Sequence, residues 1–206
     1  MKSIKVISDA FTNTSRFLRL RNAVFLENGF RRSWDYVESK DSVTALIFDK
    51  ANKDFLLVSQ FRPALYFGAS PLSKSTIDPS ALGNCYELCA GLLDDPKRSR
   101  EQVMADEIHE ELGYDVKKSD LQFIGRSPGS VGMSGARMYM YYTEVVPEMK
   151  KYSGGGLKEE GEQINEKRVP LEDIDAFIAD YNQEKSAAII MGVYWWKQHM
   201  ASKYMK

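Results

Sequence analysis

Residues 86–114 read YELCAGLLDDPKRSREQVMADEIHEELGY, and this stretch carries the strongest structural signals of the chain. It opens with Tyr86–Cys89, whose composition predicts a short strand, and the alanine and glycine that follow are predicted to form a turn. A helix is predicted to begin after Ser99, because Ser99 and Gln102 have the spacing of a capping box, in which each side chain satisfies a free backbone N–H. Gly113 is placed to end this helix.

Three acidic side chains lie on one side of the predicted helix. At about 100° per residue, Glu107, Glu110 and Glu111 fall within an arc of about 100° that borders an apolar stripe. Like charges at these spacings repel by about 0.2–0.5 kcal/mol per pair in water, and by more where they are shielded from it. Two explanations fit: a solvated acidic face, or a site for a hard cation such as Mg²⁺, which takes carboxylate, water and phosphate oxygens. The apolar stripe consists of Met104, Ile108 and Leu112.

The rest of the chain predicts antiparallel strands and few helices. Asn28-Gly29 is a strong signal for a type I′ hairpin turn between strands at 17–27 and 30–37. The Gly-, Pro- and Ser-rich stretch 68–84 is predicted to be a loop or an insertion within the domain. We therefore predict an α+β fold with one principal domain. Further strands are predicted at 43–48 and 55–61 as antiparallel neighbours, and near 121–126, 136–145 and 164–169, with helices near 171–180 and 187–200. In the last helix, the apolar set predicted to face the core is Ile189, Ile190, Val193 and Trp196.

Composition excludes several classes of protein. The 206 residues include 28 Lys and Arg against 29 Asp and Glu, a net charge of −1, so no overall charge favours binding to nucleic acid or to an acidic membrane. Cys85 and Cys89 are too few for a disulfide framework or a four-cysteine zinc site. No stretch approaches the roughly 18 apolar residues of a membrane span. We expect a cytoplasmic protein with reduced cysteines.

The segment that contains the acidic helix resembles the Nudix box, usually written G-x5-E-x7-R-E-U-x-E-E-x-G-U with U a bulky apolar residue. Residues 106–114, DEIHEELGY, match every defined position of its second half except the Arg, which is Asp106 here. The first half departs: Arg98 stands in place of the early Glu, and fifteen residues separate Gly91 from Glu107 where the consensus has fourteen. In the family, the early Glu and the Arg help to hold the metal-binding side chains.

Other motifs narrow the resemblance to one branch of the Nudix hydrolases. The chain is similar to the uridine diphosphate glucose pyrophosphatases from about residue 29 to the C-terminal helix, and that branch also has the longer spacing. The resemblance implies an α/β/α sandwich with a mixed sheet over 41–206, and a small N-terminal β-hairpin region, 1–40, that contributes to a homodimer. The motifs are Ser33-Trp-Asp-Tyr36, Asp41-Ser-Val-Thr44, Gln60-Phe-Arg-Pro63, Glu87-Leu-Cys-Ala-Gly-Leu92, Tyr142-Thr-Glu-Val145, Gly154-Gly-Gly-Leu157 and Glu159-Glu-Gly-Glu162.

The resemblance implies hydrolysis of the diphosphate linkage of a nucleoside diphosphate sugar, with UDP-glucose giving UMP and glucose 1-phosphate. The three carboxylates Glu107, Glu110 and Glu111, with the backbone carbonyl of Ala90, are then the expected ligands of Mg²⁺, with Mn²⁺ as an alternative. Such ions neutralise phosphate oxygens and acidify water.

The remaining site residues also follow from the resemblance. The family places its general base in a loop far from the box, which here is Gly154–Glu162, with Glu162 as first choice and Glu160 as second. Arg62 follows an apolar strand, where a planar guanidinium can clamp a phosphate with two hydrogen bonds. Trp34 is expected to stack on the nucleobase or ribose, within one chain or across a dimer interface, although buried packing suits a tryptophan equally well.

Two alternatives stay open at this point. The same fold and metal chemistry would serve an ADP-ribose pyrophosphatase, and the sequence does not locate the contacts that choose the base. The departures at Arg98 and Asp106 also suit a non-catalytic Nudix-like module that binds a nucleotide or a partner protein.

Overall fold

The structure is a computed structural model that describes residues 4–15, 18–79 and 81–204, and the strands in these ranges form two sheets. One is a two-stranded hairpin near the N-terminus, and the other is a mixed sheet of seven strands. The predicted α+β fold is confirmed. The strands are β1 (Arg19–Glu27), β2 (Phe30–Glu38), β3 (Ser42–Asp49), β4 (Asp54–Phe61), β5 (Asn84–Glu87), β6 (Cys89–Leu92), β7 (Gln122–Pro128), β8 (Arg137–Val145) and β9 (Asn165–Pro170). The helices are α1 (Pro63–Gly68), α2 (Pro71–Thr76), α3 (Arg100–Leu112), α4 (Ile174–Ala179), α5 (Ala187–His199) and α6 (Ala201–Tyr204).

Strand β3 lies at the centre of the larger sheet, whose order is β5-β4-β3-β8-β7. It pairs in parallel with β8 along its length and antiparallel with both β4 and β6. The predicted antiparallel pairing of 43–48 with 55–61 is confirmed by the register, in which Ile47 lies opposite Leu56.

Helices cover both faces of this sheet. Val43 and Ala45 of β3 pack in one core with α3, whereas Leu46 and Phe48 pack in a second core with α5. Successive side chains of a strand point to opposite faces, so burial of both faces explains why 43–48 is a continuous apolar run. The layers form the predicted α/β/α sandwich.

The helix that carries the three glutamates has the predicted ends. Ser99 and Gln102 form both hydrogen bonds of the capping box. At the other end, Gly113 adopts a φ of 78° and donates its N–H to the carbonyl of His109 at 2.8 Å. The apolar stripe, Met104, Ile108 and Leu112, is fully buried. The stripe therefore fixes which side of α3 faces the sheet, and with it the position of the acidic side chains.

Ala90 and Gly91 lie in a strand, so the turn predicted for them is wrong. Leu88 separates β5 from β6, and β6 then pairs with the first half of β3, with Ala90 opposite Thr44. The Thr44 hydroxyl also donates to the Cys89 carbonyl at 3.0 Å. This pairing joins residues more than forty positions apart, so it cannot be predicted from the local sequence pattern. As a result β6 packs directly against α3.

The stretch 68–84, predicted as a loop or an insertion within the domain, is not a continuous loop. It contains α2, and α1 precedes it directly after β4. Ser70 caps α2 by accepting the Ser73 N–H at 3.1 Å, and Pro71 occupies the first helical position, where its missing N–H has no intrahelical partner to lose. The signal for this helix was therefore local, although the helix is too short to show a periodic pattern.

The last helix has three of its four predicted core residues in the core. Ile189, Val193 and Trp196 are buried, whereas Ile190 is 46% exposed and that prediction is wrong. A step of one residue turns the side chain by about 100°, which takes Ile190 off the buried stripe.

The hairpin turn is the predicted type I′. Asn28 and Gly29 have φ values of 52° and 82°, and β1 and β2 pair in register from Glu27–Phe30 outward. Phe17, the first residue of the predicted hairpin, lies outside the described residues. The hairpin contacts the main sheet's loops where the Val37 N–H donates to the Met133 carbonyl at 2.6 Å. Within the described ranges, no helix is both long and apolar enough to cross a membrane.

Candidate active site

Glu111 is the buried carboxylate of α3. It is 4% exposed, and its Oε2 accepts the backbone N–H of Ala90 at 3.2 Å. The Cys89 thiol hydrogen-bonds the same carboxylate. Burial raises the pKa of Glu111 to about 7, against the opposing effect of these two hydrogen bonds. Contacts with β6 therefore hold this side chain in place.

Glu107 lies one turn earlier, directly over Gly91. A methyl group at Gly91 would overlap the Glu107 carboxylate, so only glycine leaves room for it. Burial raises the pKa of Glu107 to about 8, and the charges of Glu111 and Glu110 act in the same direction. The positive charge of Arg98 opposes these effects and is smaller than any of them. The repulsion predicted from the helix geometry is thus present and incompletely compensated.

The backbone of Ala90 faces the same side as these carboxylates. Its N–H is directed at Glu111 and away from Thr44, its partner on β3. In an antiparallel pair, each residue directs its N–H and its C=O to the same side. The Ala90 carbonyl therefore lies on the side of α3, as its predicted role as a ligand requires.

The glycine-rich loop docks on the C-terminal end of α3. Gly155 and Gly156 donate their N–H groups to the carbonyls of Glu111 and Glu110, at 2.9 and 3.1 Å. Gly154 has a φ of 69°, and a side chain there would overlap the Glu111 carbonyl. These backbone contacts use carbonyls that the helix end leaves without intrahelical partners.

Glu162 is brought to the acidic cluster by this loop. Its Oε2 accepts the Leu157 N–H at 2.9 Å, which folds the side chain under the loop. The negative charge of Glu162 raises the pKa of both Glu107 and Glu111, so the three carboxyl groups are neighbours. Glu160, the second choice for the base, ends a 3₁₀ turn, and its side chain lies outside what the structure describes.

Arg62 lies beside the cluster and is paired with a carboxylate that was not predicted as a site residue. Its Nε and Nη2 donate to the two oxygens of Glu87, both at 2.6 Å. The side-chain hydrogen bonds to Glu87 raise the pKa of Arg62 against the opposing effect of burial, and the charges of Glu87 and Glu111 act in the same direction as the hydrogen bonds. Glu87 ends the strand that precedes β6, and its distance from the other glutamates in sequence concealed its place in the site.

Trp34 contacts the loop that follows β7 within one chain. Its Nε1 donates to the Gly132 carbonyl at 3.1 Å, and the Arg32 guanidinium lies 5.6 Å from its ring centre. The ring is 46% exposed, so the alternative of buried packing is wrong.

The two departures from the box contact one another. The Arg98 guanidinium forms an ion pair with Asp106, the residue before Glu107. The consensus box has Glu and Arg at these two positions. Here the basic residue is Arg98 and the acidic residue is Asp106, so one acidic and one basic side chain are still present. Both groups are partly exposed, so the pair contributes little to stability.

The donor chemistry of the cluster suits a hard cation. Its oxygens come from carboxylates and a backbone carbonyl, the ligands that Mg²⁺ prefers. The pKa values of Glu107 and Glu111 are raised first by burial and then by the negative charges of neighbouring carboxylates, which a bound cation would neutralise. As the side chains stand, no group of three Asp, Glu, His or Cys residues in the described ranges is arranged to hold a metal ion. Closing a coordination sphere therefore requires these side chains to move.

The chain was compared with known proteins. No family model matches it. It is 37% identical to uridine diphosphate glucose pyrophosphatase NUDT14 of Bos taurus over 186 residues, which cover 83% of this chain and 84% of the relative. The Mus musculus protein of the same name is 32% identical over 95% of both chains. A GDP-mannose pyrophosphatase of Enterobacter sp. (strain 638) is 26% identical over 93% of this chain and 94% of the relative.

Proposed function

The chain belongs to the Nudix hydrolases, in their uridine diphosphate glucose pyrophosphatase branch, and on this basis we propose that it hydrolyses the diphosphate linkage of a nucleoside diphosphate sugar. UDP-glucose is the proposed substrate, and UMP and glucose 1-phosphate are the products. The observation that carries the proposal is the convergence of Glu107, Glu111 and Glu162 beside the backbone of β6.

The carboxylates supply the proposed metal site. Glu107, Glu110, Glu111 and the Ala90 carbonyl would hold Mg²⁺, with Mn²⁺ as an alternative. When bound, the ion neutralises charge on the diphosphate oxygens and lowers the pKa of water at the site. Gly91 contributes by leaving space for the Glu107 carboxylate.

Glu162 is the proposed general base. One of its oxygens accepts the Leu157 N–H, which orients the carboxylate, and we assign the other oxygen, Oε1, to the attacking water. The water oxygen forms a bond to one phosphorus while the bridging P–O bond breaks, and the water proton passes to Glu162. Glu160 remains the alternative for this role.

Arg62 is the proposed phosphate clamp. Its guanidinium already makes a two-point contact with a carboxylate, that of Glu87, and a phosphate has the same bidentate geometry. Exchange of Glu87 for a phosphate oxygen pair would place positive charge on the substrate at the edge of the acidic cluster.

A substrate panel tests the proposed function. UDP-glucose, GDP-mannose and ADP-ribose are each incubated with Mg²⁺ and, as a control, with EDTA, and the products are separated by chromatography. We expect metal-dependent release of UMP and glucose 1-phosphate, with the highest kcat/KM for UDP-glucose. A preference for ADP-ribose would support the alternative enzyme, and absence of turnover on all three would support a non-catalytic module.

A homodimer is proposed through the hairpin region. Leu20, Val24 and Leu26 lie on one face of β1 and are 79%, 53% and 73% exposed, an apolar strip that a second copy would cover. Trp34 lies opposite Ala23, on the other face of the hairpin, and its proposed role is to stack on the nucleobase or ribose. Light scattering should give twice the chain mass for the parent, and the chain mass for a Leu20→Asp, Leu26→Asp variant. A monomeric parent would contradict the proposal.

We propose a cytoplasmic location on the basis of the cysteines. Cys85 and Cys89 are both buried and free. Thiols of this kind persist in a reducing compartment. Imaging of the tagged chain in cells tests this location.

A further inference from the structure

A cavity of about 190 Å³ lies between α1, α2 and the segment that leads into β5. Its walls are mostly small or apolar residues such as Ala64, Leu65 and Ile77, and the polar residues that line it are Ser73 and Glu184. Among the described residues that line it, Glu184 is the only charged one. A water molecule takes about 30 Å³ of liquid, so this space equals about six waters, below the roughly 300 Å³ at which drug-sized pockets begin. The cavity can hold one ring but not a nucleotide.

The cavity adjoins the proposed phosphate clamp. Arg62 precedes α1 directly, and its backbone N–H donates to the carbonyl of Gly83, a residue of the cavity wall, at 2.7 Å. Gly83 in turn packs against Phe61 and Tyr66, and a side chain there would overlap the Phe61 ring. Arg62 and the cavity therefore share one rigid piece of backbone.

Glu184 is connected to the same site along β5. Its carbonyl accepts the Tyr86 N–H at 2.9 Å, which aligns its segment beside the strand. Cys85 and Glu87 lie two residues apart and therefore on one face of β5. The charges of both Glu87 and Glu184 act on the Cys85 thiol. Cys85 therefore lies between Glu87, which pairs with Arg62, and Glu184, which lines the cavity.

The chemistry of the walls favours a sugar. A carboxylate only accepts hydrogen bonds, and a pyranose presents neighbouring hydroxyl donors that reach both of its oxygens. Apolar walls suit the C–H groups of the ring. A phosphate would meet the negative charge of Glu184, and a uracil would direct two carbonyl acceptors to either side of its single N–H donor.

We infer that this cavity receives the glycosyl group of the substrate and that Glu184 accepts hydrogen bonds from its hydroxyls. The inference rests on the proposed function. It places the diphosphate of the substrate at Arg62 and the carboxylate cluster, and the sugar between α1 and α2.

Binding of the two product fragments tests the inference without requiring turnover. The dissociation constants of glucose 1-phosphate and of UMP are measured by calorimetry with Mg²⁺ for the parent, for Glu184→Gln and for Glu172→Gln, a matched change at an exposed position. Loss of a hydrogen bond to a charged group predicts a rise of roughly ten- to a hundredfold in the Kd of glucose 1-phosphate for Glu184→Gln. The Kd of UMP should stay within about twofold.

A second variant fills the space rather than changing the charge. Ala69→Leu adds bulk at a lining position and should also weaken the binding of glucose 1-phosphate, while the binding of UMP should be unchanged. The inference is overturned if the parent does not bind glucose 1-phosphate, if both variants bind it like the parent, or if UMP is the fragment that is lost. A parent that binds glucose 1-phosphate but does not hydrolyse UDP-glucose would instead contradict the proposed function.

Discussion

The protons of Glu107 and Glu111 link the site to the stability of the fold. Both carboxyl groups have raised pKa values in the folded chain, about 8 and about 7, against an ordinary value of 4.5. Because the folded state binds these protons more tightly, it is favoured below pH 4.5 and loses stability as pH rises toward 8. Ionisation of the pair thus destabilises the metal-free protein at neutral and alkaline pH.

Glu107→Gln should remove part of the stability loss that the metal-free protein shows as pH rises. In EDTA the variant should be more stable than the parent at pH 8, by about 1–3 kcal/mol after allowance for partial exposure, and about equal to it at pH 5. Urea denaturation between pH 5 and 8 measures the difference. Glu172→Gln, at an exposed position, serves as the control, and parallel curves for the parent and Glu107→Gln would contradict the assignment.

Gly91 tests whether the position of the Glu107 carboxylate matters for activity. In Gly91→Ala the new methyl group displaces the end of a flexible side chain, so the free energy of unfolding should change by about 1 kcal/mol or less. A displacement of about 1 Å at a reacting centre can reduce a rate about a hundredfold, which is the expected loss in kcat/KM. Gly135→Ala, where the added methyl meets nothing, is the control. Equal activity of the two variants would show that Glu107 can act from another position.

Single residues were predictable where their chemistry was local. The arc of Glu107, Glu110 and Glu111 followed from helix geometry, whereas Glu162 was named as a site residue only with the help of the family resemblance. Glu87 was missed as a site residue, because its partner Arg62 is twenty-five positions away, just beyond the end of β4.

The loop that carries Glu162 depends on a close backbone contact with α3. Gly154→Ala would press its methyl group against the Glu111 carbonyl in addition to straining a positive φ. We expect the loop to separate from the helix, with kcat reduced about a hundredfold or more and stability reduced by about 1–3 kcal/mol. Gly29→Ala matches the strain, at a φ of 82°, without any contact, and is the control for stability. Activity at the parent level in Gly154→Ala would exclude a role for the docked loop.

Elements were predictable where their ends carry a chemical signal. Helix α3 has a capping box and a terminal glycine, and both of its ends were predicted correctly. The end of β5 and the start of β6 were not, because the break at Leu88 depends on pairing with β3 rather than on any residue nearby. The same reasoning applies to Ala90, whose backbone faces the site only because it lies in β6.

In the whole molecule, the site depends on the central strand β3, which pairs with different strands along its two halves. The first half of β3 pairs with β6 and the second half with β4, so β6 is free to pack against α3 while β4 continues to Arg62. Burial of both faces of the sheet could be predicted from the continuous apolar run 43–48. The order of the strands does not follow from it, because it depends on contacts across the whole chain.

We propose that the carboxylates of α3 are required for hydrolysis of a nucleotide sugar. The most direct test is the rate of UDP-glucose hydrolysis with Mg²⁺ by the parent, Glu111→Gln and Glu172→Gln, with folding of each confirmed by urea denaturation. We expect release of UMP and glucose 1-phosphate by the parent and Glu172→Gln, and a loss of about a hundredfold or more in kcat for a folded Glu111→Gln. A folded Glu111→Gln that is as active as the parent would contradict the proposal.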